Sequence, residues 1–139
     1  MVNYVLSENR IKYFQPYNSL LKSDVILNGG SDHMVKYNSF KSINPYNPFL
    51  SMWVMIARET EKGSKFQPEE RISREEAIKA FTINNVKMSF EEDYKGSLEV
   101  GKLADLIVLS KDILTCPIND IKNIEVEMTM LDGKVIYKK

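Results

Sequence analysis

The sequence predicts an α/β protein or, if the chain folds by itself, an α+β domain. Three patterns indicate this class: a helical pattern that leads into a β-branched run near residue 25, an apolar stripe of helical period over residues 48–57, and alternating apolar and polar residues from Ile124. With 139 residues the chain is long enough for one ordinary domain, or for part of a larger one.

The first predicted helix follows Pro16, which suits the first turn of a helix. Tyr17, Leu20 and Leu21 have helical spacing, and Ser23-Asp24 ends the pattern. Helix, turn and strand in this order form half of an α/β unit.

The next residues predict a short buried strand with an acid beyond its end. Val25–Leu27 is a compact, largely β-branched run, typical of a strand buried on both faces. Gly29 and Gly30 allow a sharp turn, and Asp32 follows it. Barrel enzymes keep catalytic residues at such strand ends, so Asp32 is a candidate catalytic residue. These residues leave open the alternative that Asp32 merely caps the next segment.

Residues 33–47 are irregular and polar, with Tyr37, Phe40 and Tyr46 between them. They predict either a loop over a site or an ordinary surface loop with aromatic anchors. Residues 48–61 predict the strongest helix, with Pro48 at its first position and Gly63 ending it. Its apolar stripe indicates core rather than a cofactor site and comprises Phe49, Met52, Trp53, Ile56 and Ala57.

A capping box opens the following helix. Ser73 and Glu76 have the spacing at which each side chain bonds the other's backbone N–H. Ala77, Ala80 and Phe81 form the predicted buried face, and the acids are expected on the solvated surface.

From Tyr94 onward the pattern is β. Leu106–Leu109 predicts a strand, and residues 124–130 alternate as a strand with one buried and one wet face. Asp132-Gly133 is typical of a two-residue hairpin turn, after which Val135–Tyr137 returns.

Composition excludes several classes of function. The 19 basic and 19 acidic residues balance, which argues against nucleic acid or an anionic membrane as a partner. The single Cys116 cannot form an internal disulfide, which suits a reducing compartment. The first residues resemble no signal peptide. The longest uncharged run, Ser42–Ala57, is too short to span a bilayer. We therefore expect a cytoplasmic protein.

The chain alone lacks the residues of a complete active site. A catalytic metal site needs about three protein ligands, yet the chain has one His and one Cys. His33 follows Asp32 directly, and strand neighbours point to opposite faces, so the two would share an ion only in a loop. Neither common phosphate-binding glycine spacing is present.

Residues 95–112, KGSLEVGKLADLIVLSKD, closely resemble the C-terminal signature of metal-dependent amidohydrolases, above all the amidohydrolase-3 group. Further matches occur in family order: Gly30-Ser31-Asp32, Ala57-Arg58, the helix Ser73–Asn84, and Met128–Tyr137. The resemblance implies a (β/α)₈ barrel with one or two divalent metals, zinc expected, and a small β-sandwich built from both chain ends. It assigns residues 1–90 to the last strand and helices of the barrel and residues 91–139 to the sandwich.

The resemblance also implies roles for single residues. Asp32 aligns with the acid after the eighth barrel strand, which in the family binds metal or accepts a proton from the water that the metal activates. Gly29 and Gly30 would form the turn before it. Gly101, Lys102 and Asp105 would be structural, setting the turn into a sandwich strand.

The other metal ligands of the family would lie upstream of residue 1, so this chain resembles about the last quarter of such an enzyme. We expect a C-terminal portion of a hydrolase for non-peptide C–N bonds, amides or cyclic amides, that is inactive and binds no metal alone. The alternative is a non-catalytic regulatory or structural protein of the same fold.

The expected partners are a small-molecule substrate in the parent enzyme and a second copy of the chain. Strand edges left unpaired predict a symmetric dimer, which would also bury the Trp53 helix face.

Overall fold

The computed structural model describes residues 8–11, 13–30, 47–60 and 62–139. Its α-helices are α1 (Glu8–Ile11), α2 (Tyr17–Lys22), α3 (Pro48–Ala57), α4 (Arg74–Phe81) and α5 (Ile83–Met88). The strands are β1 (Leu106–Leu109), β2 (Val126–Leu131) and β3 (Lys134–Lys138), and 3₁₀ helices cover Pro68–Glu70 and Ile118–Asn123. No described helix is long and apolar enough to cross a membrane.

Helix α3 forms the centre of the core, as its apolar stripe predicts. The Asn47 side chain caps its N-terminus by accepting from the backbone N–H groups of Phe49 and Leu50, at 2.9 and 3.3 Å. The helix packs on the 3₁₀ helix Ile118–Asn123, and Trp53 is 1% exposed. The predicted use of the Trp53 face in a dimer is therefore wrong, because the chain itself covers that face.

The end of α3 differs from the prediction. The helix stops at Ala57 because Arg58 adopts the left-handed conformation, with φ 51° and ψ 50°. The predicted continuation to residue 61 is wrong. Gly63, with φ 81°, lies instead in the turn between Glu59 and Lys65, which form an isolated antiparallel bridge.

The capping box at the start of α4 is confirmed. The Ser73 hydroxyl accepts from the Glu76 N–H at 3.1 Å, and the Ser73 N–H donates to Glu76 Oε2 at 2.7 Å. Ala77 and Ala80 are fully buried. The stretch predicted as one helix to Asn84 is two, because Thr82, with φ −128° and ψ −102°, interrupts it.

The three strands form one antiparallel sheet in the order β1-β2-β3. Leu106 pairs with Met130 and Ile107 with Thr129, and the predicted hairpin at Asp132-Gly133 joins β2 to β3. The predicted alternation lies on residues 124–130, where Ile124 is buried, the apolar residues of β2 up to Met130 are half-buried, and Glu127 is exposed. Every residue of β3 is exposed.

The predicted strand at Val25–Leu27 is not formed. Helix α2 is present as predicted, but residues 25–30 pair with no described strand, and Val25 and Ile26 are 43% and 58% exposed. A strand of this kind is buried only when neighbouring strands flank it, and the described residues supply none. The described part of the chain is therefore an α+β body, and the predicted barrel is not seen in it.

Candidate functional site

The segment that leads toward Asp32 is held against α4 and α5 by hydrogen bonds. The Gly29 N–H donates to the Ala80 carbonyl at 2.7 Å. The side-chain amides of Asn84 and Asn85 donate to the carbonyls of Leu27 and Gly29, each at 2.9 Å. These bonds satisfy backbone groups that a neighbouring strand would otherwise satisfy. They fix the direction in which the chain leaves Gly29.

The two glycines of this segment have different surroundings. A Cβ built on Gly29 would lie 2.3 Å from a ring carbon of Phe81, so the close approach to α4 requires glycine. A Cβ on Gly30 would meet no atom within 4 Å. Gly29 is therefore the residue of the pair that determines the packing.

Asp32 and His33 lie outside the described residues. The roles of Asp32 as catalytic residue and metal ligand therefore stay predictions. The described geometry ends at Gly30.

A buried cluster centred on Arg58 lies beyond the C-terminal end of α3. Its guanidinium Nη2 donates to Gln67 Oε1 at 2.6 Å and to the Phe14 carbonyl at 3.2 Å. The group lies over the rings of Phe66 and Tyr17, at 4.4 and 5.2 Å from the centroids. Burial lowers the pKa of Arg58, and interactions with Tyr17 and nearby acids oppose this in part. The cluster joins segments on both sides of residues 31–46.

Glu70 is the buried acid of the same region, and it caps α2 from outside that helix. Its carboxylate accepts from the Ser19 N–H at 2.9 Å and from the Ser19 hydroxyl at 2.5 Å. Burial raises the pKa of Glu70, but the Ser19 hydrogen bonds, a backbone bond from Asn18 and the charge of Arg58 outweigh it, so the pKa is lowered overall. Both acceptor oxygens are used, so we assign Glu70 a structural role.

The turn before β1 contains the three residues for which the resemblance implies structural roles. Gly101 has φ 96°, a conformation that favours glycine. Lys102 Nζ donates to the Ser97 hydroxyl at 2.7 Å, and Asp105 Oδ1 accepts from the Asp132 N–H at 2.8 Å. Asp105 thereby ties the start of β1 to the β2–β3 hairpin.

The described residues do not fit a metal ion on their own. Among them no three His, Cys, Asp or Glu side chains form a group that could hold one. Glu92 Oε2 is buried without a hydrogen-bond partner, but it belongs to no such group. The other buried atoms without a partner in the described region are Nε and Nη1 of Arg58, which is a cation and would repel a metal.

Comparison with known proteins decides the family. A family model described as "Amidohydrolase family" matches residues 1–137. The chain belongs to the amidohydrolase family. This confirms the resemblance to the amidohydrolase-3 group.

The amidohydrolase chain is similar to proteins several times its length. N-substituted formamide deformylase of Arthrobacter pascens is 32% identical over 96% of this chain and 23% of its own length. The putative amidohydrolase YtcJ of Bacillus subtilis is 25% identical over 96% and 24%. Protein LONG AFTER FAR-RED 3 of Arabidopsis thaliana is 32% identical over 94% and 21%. The chain thus spans about a quarter of each relative's length.

A solved structure shares the fold of this amidohydrolase chain. The amidohydrolase from Thermotoga maritima matches with a TM-score of 0.64 and 23% identity, over 90% of this chain and 26% of the other. At that identity the match shows the fold alone.

Sequence reasoning missed the residues that organise the region around the candidate site. Asn84 and Arg58 entered only as parts of family matches, and Asn85, Gln67 and Glu70 not at all. Their bonds join positions up to 57 residues apart, as in the Asn84–Leu27 contact. For Arg58, Asn84 and Asn85 the only local signal is a polar residue beside the end of a helix, which does not indicate the partner. Gln67 and Glu70 have no such signal.

Proposed function

We propose that this chain is the C-terminal portion of a metal-dependent hydrolase that acts on non-peptide C–N bonds, in amides or cyclic amides. The observation that carries the proposal is the family match over residues 1–137. The similarity to an N-substituted formamide deformylase supports the bond class.

The exposure of two apolar residues before Gly29 supports a larger parent body. Val25 and Ile26 are apolar and exposed, although burying such a side chain fully is worth about 1.5–3 kcal/mol. The bonds from Asn84 and Asn85 hold one side of the segment and leave residues 25 and 26 uncovered. The rest of the parent would cover them as neighbouring strands of a barrel, with residues 1–90 in the barrel and 91–139 in the sandwich.

Asp32 is the residue to which we assign the chemistry. Its carboxylate accepts a proton as water attacks the carbonyl carbon, or serves as a metal ligand. A divalent metal, for which we propose zinc, supplies Lewis-acid activation when bound. Gly29 positions the segment, because its contact with Phe81 and its bond to Ala80 fix the backbone three residues earlier. A cytoplasmic location and a small-molecule substrate belong to the same proposal.

Hydrolysis by the product of the complete reading frame tests the proposed reaction. We expect release of amine from N-substituted formamides or ring opening of cyclic amides, with loss of turnover after chelation and recovery with zinc. Absence of turnover on both substrate classes in the metal-loaded protein would contradict the proposal. It would favour the alternative of a non-catalytic regulatory or structural protein. The name of one relative, Protein LONG AFTER FAR-RED 3, refers to no reaction and is compatible with that alternative.

The 139-residue chain alone is proposed to be inactive, because the described residues hold no metal site. The same assay with added metal should detect no turnover by it. Turnover that Asp32→Ala abolishes would overturn this part of the proposal.

A further inference from the structure

Arg58 joins the end of α3 to the residues that precede α2. Its Nη2 donates to the Phe14 carbonyl at 3.2 Å and to Gln67 Oε1 at 2.6 Å, and Gln67 Nε2 donates to the Ile11 carbonyl at 2.5 Å. Both acceptors ahead of α2 are backbone carbonyls, so these bonds fix the backbone directly. Arg58 is 0% exposed, so no residue from outside the chain is needed to bury it.

Stability alone does not account for an arginine at this position. No described acid forms an ion pair with Arg58, and in the described region its Nε and Nη1 are buried without a hydrogen-bond partner. A buried charge without a directly paired acid costs stability, and apolar side chains often replace such groups without loss. The backbone is strained as well, because Arg58 and Gln67 have φ of 51° and 43°, in the left-handed region. Strained residues of this kind cluster at functional sites.

The residues that Arg58 fixes continue into the segment that leads to the proposed catalytic acid. The guanidinium lies 5.2 Å from the ring centroid of Tyr17, the first residue of α2. After α2 the chain reverses, and the Val25 N–H donates to the Leu20 carbonyl at 3.1 Å. Residues 25–30 follow directly, so α2 couples their position to that of Tyr17.

We infer that Arg58 is a positioning residue for the hydrolysis. It fixes the start of α2, and through α2 the segment 25–30, so that Asp32 is held where the reaction needs its carboxylate. The inference rests on the proposed function. Arg58 acts through the backbone that precedes Asp32 and not by contact with the substrate. This gives a role to the Ala57-Arg58 match, which the proposed reaction by itself does not use.

The kinetics of Arg58→Met in the metal-loaded product of the complete reading frame test the inference. Methionine occupies a similar space without the hydrogen bonds. We expect kcat to fall about tenfold or more at unchanged KM, because small misplacements of a reacting group are costly, and Arg58→Lys to recover part of the loss. Arg71→Met is the matched control and should leave kcat unchanged. Among the described residues the Arg71 side chain donates only to the Ala57 carbonyl at the end of α3, at 3.2 Å.

Hydrogen exchange of the 139-residue chain tests the same coupling without an assay of activity. The Gly29 N–H donates to the Ala80 carbonyl at 2.7 Å. Relative to the amides inside α4, it should exchange about tenfold faster in Arg58→Met, whereas Arg71→Met should leave it unchanged. If Arg58→Met does not fold, Gln67→Met replaces it in both experiments, because it breaks the same connection to the residues before α2.

The outcomes separate the inference from the proposed function. An active enzyme whose Arg58→Met variant keeps the wild-type kcat overturns the inference and leaves the proposed function intact. If the wild-type enzyme shows no turnover, the proposed function fails, and a Gly29 amide that exchanges equally fast in Arg58→Met and in the wild-type chain then overturns the coupling. Equal effects of Arg58→Met and Arg71→Met also overturn the inference, because they would indicate a general loss of stability.

Discussion

Replacing Glu70 by alanine tests whether the buried carboxylate joins α2 to the Arg58 cluster. The change removes two hydrogen bonds from Ser19 to a charged acceptor. Each such bond is worth about 1.5–3 kcal/mol, and the two share one carboxylate, so we expect a loss of about 3 kcal/mol. This loss is a large part of the free energy of unfolding of a typical domain, which is about 5–15 kcal/mol.

Urea unfolding at pH 7 measures the loss. With a slope of about 2 kcal/mol per molar, Glu70→Ala should lower the midpoint by about 1.5 M. Glu70→Gln keeps an acceptor for the Ser19 N–H and should lose about half as much. Glu69→Ala is the matched control, because Glu69 lies on the same 3₁₀ helix with an exposed side chain and should change stability by less than about 0.5 kcal/mol.

The stability that the Glu70 carboxylate contributes should depend on pH in a definite direction. Because the pKa of Glu70 in the folded chain is below its usual 4.5, the stabilisation is complete above that value and is lost as the pH falls through the folded pKa. The difference in stability between the wild-type chain and Glu70→Ala should therefore stay constant from pH 7 down to the usual pKa of a glutamate and shrink as the pH falls further. A Glu70→Ala loss no larger than that of Glu69→Ala, or one independent of pH, would refute the reasoning.

Two further substitutions test the packing of α4. Gly29→Ala should destabilise the chain by about 1–3 kcal/mol in urea unfolding, because its Cβ would meet the Phe81 ring. Gly30→Ala is the control and should leave the stability unchanged. Equal effects of the two substitutions would contradict the close approach of Gly29 to Phe81. Ser73→Ala should cost about 1 kcal/mol and lower the melting temperature by about 3–5 °C, because the capping box with Glu76 is lost. Ser73→Asp should retain most of the stability, and an unchanged melting temperature in Ser73→Ala would show that the cap is unimportant.

Helix starts that depend on local chemistry could be predicted from the sequence, whereas features that depend on distant residues could not. Pro48 and the Ser73 capping box act within one helical turn, so their helices start where the sequence predicts. Arg58 ends α3 through a left-handed conformation that a non-glycine residue adopts only when its surroundings impose it. The burial predicted for Val25–Leu27 depends on flanking strands, which those residues do not specify.

The arrangement of the region around the candidate site could not be predicted from the sequence. The local pattern at residues 25–32, and then the resemblance, pointed to Asp32 and the turn glycines because both signals are contiguous in sequence. The contacts that hold this region, from Asn84 to Leu27 and from Glu70 to Ser19, join positions more than 50 residues apart. No periodicity within one segment encodes such pairs.

We propose that this chain lends one catalytic carboxylate, that of Asp32, to a hydrolase, and the turnover number of Asp32→Asn tests this proposal most directly. The control is Asp24→Asn, a nearby exposed acid with φ 58°, a conformation that asparagine also accepts. In the metal-loaded product of the complete reading frame, we predict that Asp32→Asn lowers kcat at least about 100-fold while Asp24→Asn leaves it unchanged. A folded Asp32→Asn protein that hydrolyses amides at the wild-type rate would contradict the account.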